Sequence, residues 1–101
     1  ENVKALVVTR FDRQWSKDHQ WLMRLPQEDM CQALGVSPGL KYQSDGGPGI
    51  ADIMGVLRGA EDALLDQETF LRSQIVFWLL AAIDGHAKNF SLYLQAGGRH
   101  F

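Results

Sequence analysis

The stretch from Gln67 to Ile83 constrains the fold most. It begins amphipathic and becomes apolar on all sides around Ile75-Val76-Phe77-Trp78-Leu79-Leu80, and a helix that is hydrophobic all round belongs in an interior. The run from Ile75 to Ile83 reaches only about half the length needed to span a bilayer, and no charged-then-apolar leader opens the chain. The expectation is a buried central helix, with Asp66 as its cap.

Other elements are placed around that helix. Val3 to Val8 is rich in β-branched and aliphatic residues and reads as an opening strand, which needs a sheet partner. The turn-like Arg10-Phe11-Asp12-Arg13 leads to a second extended segment at Trp21 to Leu25. Pro26 suits the first position of a short helix, 26–34, with Glu28 and Asp29 near its positive dipole end and Gly35 as its stop. Ile50, Ile53, Met54 and Leu57 fall at spacings of three and four, which predicts a helix from near Pro48 to near Gly59. Phe90, Leu92 and Leu94 alternate with Ser91, Tyr93 and Gln95, a half-buried strand, and Ala96-Gly97-Gly98 supplies a hairpin turn. The order is strand, strand, three helices, loop, hairpin, an α+β arrangement in a single unit over 1–101. Only Arg99 to Phe101 remain for the return strand, so the domain is expected to be partial, cut at both ends.

Composition narrows the partners. In 101 residues the net charge is -2, and the pI is near 5.8, which supplies no overall drive towards nucleic acid or anionic lipid. No membrane role is expected. Cys31 is the one cysteine, so an internal disulfide is impossible, and a cytoplasmic location fits. Trp15, Trp21 and Trp78 lack interleaved basic residues and read as packing groups. Gly46-Gly47-Pro48-Gly49 fits a helix start better than a phosphate loop, since proline removes a donor.

The chemistry-bearing stretch is Asp84-Gly85-His86-Ala87-Lys88-Asn89, a loop between the most apolar helix and a strand. Rigidly held loops are where catalytic groups tend to sit. Asp84 and Asn89, five positions apart, match the Asp-x4-Asn spacing of kinase catalytic loops. Phosphoryl transfer needs an acceptor near the nucleophile hydroxyl, an oxygen ligand for a hard cation and a positive charge near the phosphates. Asp84, Asn89 and Lys88 can fill those roles in that order. The spacing alone fits a structural turn better, in which Asp84-Gly85 ends the helix and Asn89 bonds to loop backbone. His86 reads as a structural histidine satisfied by hydrogen bonds rather than as a metal ligand, since no cluster of further ligands accompanies it.

A resemblance weighs in. Asp84 to Ser91 resembles the signature of the HipA toxin kinases, and its Asp-x-His-x-x-Asn core is similar to the catalytic loop of phosphoinositide-3-kinase-like enzymes. Val8-Thr9-Arg10-Phe11-Asp12-Arg13, Leu25 to Gln32 and Tyr42 to Gly49 resemble HipA segments in the same order. The resemblance implies the mainly helical portion of a kinase-like C-terminal lobe, with a hinge strand and a β-hairpin after the catalytic loop. It implies Asp84 as catalytic base, Asn89 as magnesium ligand, and His86 and Lys88 as supports of loop geometry or phosphate charge. It makes Val8 to Phe11 the adenine-receiving hinge, with Thr9 and Phe11 at the nucleotide pocket. Thr9 stands where the best-known member has glutamate, so a hinge contact that needs a carboxylate is lost and one made by backbone is kept.

The same resemblance implies ATP and Mg2+ as cofactors and a protein serine as acceptor, in glutamyl-tRNA synthetase for the family. It implies a helix-turn-helix antitoxin, HipB, as partner, with DNA reached only through that complex. A working site also needs a phosphate loop, a lysine from the nucleotide lobe and a second metal-binding aspartate. None can be assigned in these residues, so the chain alone is expected to be inactive. A pseudokinase and a helical interaction module are the non-catalytic alternatives.

Overall fold

Leu92 sets the position of the core. In the computed structural model, which describes residues 2–95 and 98–100, it is fully buried as the second residue of β4 (Ser91–Gln95). The strand alternation expected there holds at Phe90 and Leu92, which are buried, and fails at Leu94, on the same face, which is exposed. β4 is flanked on one side by β3 (Gln27–Asp29) and on the other by β5 (Gly98–His100), both antiparallel. The β3 register pairs Gln27 with Tyr93, Glu28 with Leu92 and Asp29 with Ser91. The expected hairpin therefore forms; Ala96 and Gly97 of its turn lie outside the described residues.

A separate two-stranded ribbon precedes this sheet. β1 (Arg13–Trp15) pairs with β2 (Leu22–Arg24), placing Trp15 opposite Leu22. β2 falls within the extended segment read at Trp21 to Leu25. The buried Asp12 anchors the ribbon: hydrogen bonds and charge from the Arg10 and Arg13 guanidiniums hold its carboxyl well below the ordinary range, and its backbone oxygen accepts the Leu25 N–H at 3.0 Å.

Four expectations need correction. The opening strand does not form: residues 3–8 have no sheet partner among the described residues, and Val3, Leu6, Val7 and Val8 are exposed. The hinge segment is accordingly extended chain and turn, not a strand. The helix read at 26–34 is strand first and helix second. Gln27 to Asp29 join the sheet, and α1 spans only Met30–Ala33. Asp29 caps it: its Oδ1 accepts the Gln32 N–H at 3.0 Å and the Gln32 side chain accepts the Asp29 N–H at 2.9 Å, a reciprocal capping box. Gly35, at φ +67°, is the stop.

The other two corrections concern the long helix. α3 spans Ala63–Leu79, so Asp66 lies inside its first turn, buried, and does not cap it. Nor is its apolar end enclosed. Trp78 is 80% exposed and Ile83, just beyond, 92%. The helix touches the core along a narrow stripe instead, with Phe70 buried and Ser73, Gln74 and Phe77 half-buried. Phe70 meets Phe90 edge-on with centroids 5.0 Å apart.

α2 (Ile50–Leu57) matches its expected span within two residues and buries Ile53 and Leu57. The Gly49 N–H at its start donates to the Asp52 carboxylate at 2.9 Å. Gln67 Nε2 donates to the Met54 backbone oxygen at 3.0 Å, tying α3 to α2. Met30, Cys31, Ile53, Leu57, Phe70, Ala87, Phe90 and Leu92 form one cluster, so three helices and β4 close around the base of the 84–89 loop. The architecture is α+β. No described helix is long and apolar enough to cross a membrane.

Candidate active site

The loop after α3 is held at several points along its length. Ala81 takes a left-handed turn, φ +50°. At Gly85 any Cβ would lie 2.5 Å from the Phe77 ring, so only glycine lets the loop lie against the helix here. The Ala87 N–H donates to the Lys41 oxygen at 3.2 Å, the Asn89 N–H to the His86 oxygen at 2.9 Å, and the Met30 N–H to the Phe90 oxygen at 3.0 Å. Ala87–Asn89 form a single 3-10 turn whose first residue is buried.

On this base the loop presents Asp84. Its side chain is 78% exposed, yet one oxygen is surrounded: Oδ1 accepts the Tyr42 hydroxyl at 3.0 Å and lies 3.4 Å from His86 Nε2. His86 is buried at the side chain, its ring meets Tyr42 edge-on with centroids 4.9 Å apart, and its Nδ1 is buried without a hydrogen-bond partner. The bond to the Asp84 carboxylate, aided by burial, holds the Tyr42 phenol above its ordinary pKa, which keeps it a donor.

Asn89 spans the loop, its amide nitrogen donating to the Asp84 backbone oxygen. That contact is the structural one the spacing also allowed, and it uses only the donor half of the amide. The Oδ1 half is a hard oxygen, the kind of ligand a hard cation takes. Lys88 turns its ammonium to Asp29 Oδ2 at 2.7 Å. Partial burial works to raise the Asp29 carboxyl, but bonds from Lys88 and the Gln32 N–H outweigh it and hold it below its ordinary value; the pairing with Asp29 raises Lys88 in turn.

Thr9 and Phe11 lie elsewhere, in a groove lined by Val8 to Asp12 and by Gln27. The Phe11 backbone oxygen accepts the Tyr93 hydroxyl at 2.8 Å, and the two rings meet edge-on at 6.4 Å. Gln27 Oε1 is buried with no partner. The groove and the loop are joined by the β3–β4 ladder. Gln27 and Tyr93, paired at one end, reach the groove; Asp29 and Ser91, paired at the other, meet the loop. Residues two apart on a strand share a face about 7 Å apart.

Among the described residues, no three histidine, cysteine or acidic groups converge as a metal cage. Sequence reasoning did not assign site roles to Tyr42, Asp29, Gln27 or Tyr93. Only Asp29 left a local signal, the Asp-x-x-Gln spacing of a capping box.

The whole chain, residues 1–101, matches the model of the HipA-like C-terminal domain. A relative from Sinorhizobium fredii, named "Putative kinase Y4mE", is 41% identical over 94 residues, 92% of this chain and 22% of that protein. The serine/threonine-protein kinase toxin HipA of Shewanella oneidensis is 29% identical over 107 residues, 94% of this chain and 24% of that protein. The fold is also that of a chain in the solved complex of Shewanella oneidensis HipA, HipB and operator DNA, with TM-score 0.79 at 24% identity, covering 90% of this chain and 24% of that one. The chain thus spans about a quarter of the length of these relatives, and it belongs to the HipA-like C-terminal domain family.

Proposed function

We propose that these residues form the hinge and catalytic-loop part of the C-terminal lobe of an ATP-dependent serine/threonine protein kinase. The observation that carries this is the ladder joining the groove lined by Thr9 and Phe11 to a loop with an exposed carboxylate. We assign ATP to this groove because the residues that the family resemblance gives to the nucleotide pocket, Thr9 and Phe11, line its wall. Mg2+ fits Asn89 Oδ1, because magnesium keeps water and phosphate oxygens as ligands and needs few from protein. When bound, it neutralises charge on the transferring phosphoryl group.

Asp84 then acts on the acceptor. Its outward position lets the carboxylate take the proton of a serine hydroxyl as that oxygen bonds to phosphorus and ADP departs. His86 buttresses Asp84, and Lys88, engaged with Asp29, fixes the loop and leaves phosphate charge to other cations. By analogy with the relatives named kinase toxin and solved with HipB and DNA, the parent pairs with a helix-turn-helix antitoxin that contacts operator DNA. The family resemblance makes glutamyl-tRNA synthetase the first acceptor to try. The 101 residues alone are expected to transfer nothing, since no phosphate loop or second metal carboxylate is assigned in them.

The test is transfer of labelled phosphate from ATP with magnesium by the full-length protein, beside its Asp84→Asn variant, with glutamyl-tRNA synthetase present. Label on protein from the wild type alone supports the reading. Equal label from both removes Asp84 from the base role, and none from either folded protein favours a non-catalytic binding role.

A further inference from the structure

We propose that Tyr42 is a positioning residue for phosphoryl transfer, its hydroxyl fixing the Asp84 carboxylate so that Oδ2 is the oxygen presented to the acceptor. This rests on the kinase reading of Asp84 and adds to it a residue from a different segment.

A carboxylate on an exposed loop rotates about χ2 and offers either oxygen, and that freedom works against a base that must meet one proton in one geometry. In this loop the two oxygens are inequivalent. Tyr42 Oη donates to Oδ1 at 3.0 Å and His86 Nε2 stands 3.4 Å from the same atom. Oδ2 is left to face the acceptor.

Tyr42 is itself held. Its backbone oxygen accepts the Asp45 N–H at 3.1 Å and the Gly47 N–H at 2.9 Å, while the preceding Lys41 oxygen accepts the Ala87 N–H of the catalytic loop at 3.2 Å. Its ring lies edge-on to His86, and the Lys41 ammonium sits 5.2 Å from the ring centre. The donor is therefore fastened by backbone on one side and by the loop it serves on the other. The raised pKa of the phenol keeps its proton in place at neutral pH.

Two variants of the full-length protein separate this from packing. Tyr42→Phe retains the ring against His86 and loses only the hydroxyl; Tyr42→Ala loses both. Transfer from ATP is measured with melting temperature followed in parallel. The expected result for Tyr42→Phe is a kcat lower by about tenfold, the scale of one lost charge-assisted hydrogen bond. KM for ATP and for the protein substrate should stay unchanged, and melting should be near that of the wild type. A wild-type kcat in Tyr42→Phe, with loss only in Tyr42→Ala, overturns the proposal and leaves Tyr42 a packing residue. A rise in KM for ATP at unchanged kcat also overturns it, by placing Tyr42 in nucleotide binding. If Asp84→Asn retains full activity, the kinase reading of Asp84 fails and this inference falls with it; if Asp84→Asn is inactive, the Tyr42→Phe result judges the inference alone.

Discussion

Lys88 and Asp29, 59 positions apart in sequence, meet in a 2.7 Å ion pair that ties the candidate catalytic loop to the start of α1. Asp29 does two jobs: one carboxylate oxygen caps the helix and the other receives the ammonium. Substitutions separate them. Asp29→Asn keeps an equally good cap and loses the charge, whereas Asp29→Ala loses both and should cost about 1 kcal/mol of stability through the cap. Asp29→Asn in the full-length protein should therefore lower phosphate transfer and lower the denaturation midpoint less than Asp29→Ala does, since it loses the ion pair and keeps the cap. Unchanged transfer in Asp29→Asn would show that the pair does not position the loop.

The same pair sets a pH window. The Asp29 carboxyl is lowered from 3.8, so its contribution is present above that value and lost as pH falls through the depressed folded value. Lys88 is raised from 10.5, so its contribution is present below that value and lost as pH rises through the elevated folded one. The difference in melting temperature between wild type and Lys88→Met should be flat from about pH 5 to pH 9 and close only beyond those limits. A difference that varies across neutral pH would point to another titrating group.

Gly47 is the backbone contact that sets Tyr42. A Cβ there would lie 2.0 Å from the Leu40 oxygen and 2.7 Å from the Tyr42 oxygen, and rigid main chain cannot yield as a side-chain tip does. Gly47→Ala should destabilise by about 1–3 kcal/mol, as overpacking does, and should lower transfer by displacing Tyr42. Chemical denaturation gives the first quantity and the kinase assay the second. A neutral effect on both would mean the 40–47 loop shifts freely without disturbing the site.

How much of this was legible in the sequence follows from how local each signal is. The 84–89 loop is a candidate in the sequence because Asp84 to Ser91 is one contiguous stretch that resembles a family signature, and α2 is legible because Ile50, Ile53 and Leu57 share one helical face. β3 was missed because its partner β4 lies more than sixty residues on, while Pro26 and the acidic pair offered a local helix signal that the ladder overrides. The buried face of α3 was illegible for a different reason. With apolar residues on every side, periodicity cannot say which stripe packs, and it is Phe70 and Phe77 that meet Phe90. Tyr42 and Asp29 reach the loop across 42 and 59 positions, so no spacing rule near Asp84 points to them.

Asn89 separates metal binding from loop architecture. Its amide nitrogen bonds the Asp84 backbone, and its oxygen is the proposed magnesium ligand. Asn89→Ala removes both, while Asn89→Ser keeps a small oxygen ligand and loses the reach to Asp84. If the oxygen matters through the cation, Asn89→Ala should raise the magnesium concentration for half-maximal transfer by about tenfold, the low end of what removing a metal-site partner costs, and excess magnesium should restore part of the rate. If the amide serves only to close the loop, both variants lose kcat at every magnesium concentration, with the half-maximal value unmoved. A magnesium titration of transfer by the full-length wild type and the two variants reads the difference directly, because saturation by the cation can compensate a weakened site but cannot rebuild a displaced loop.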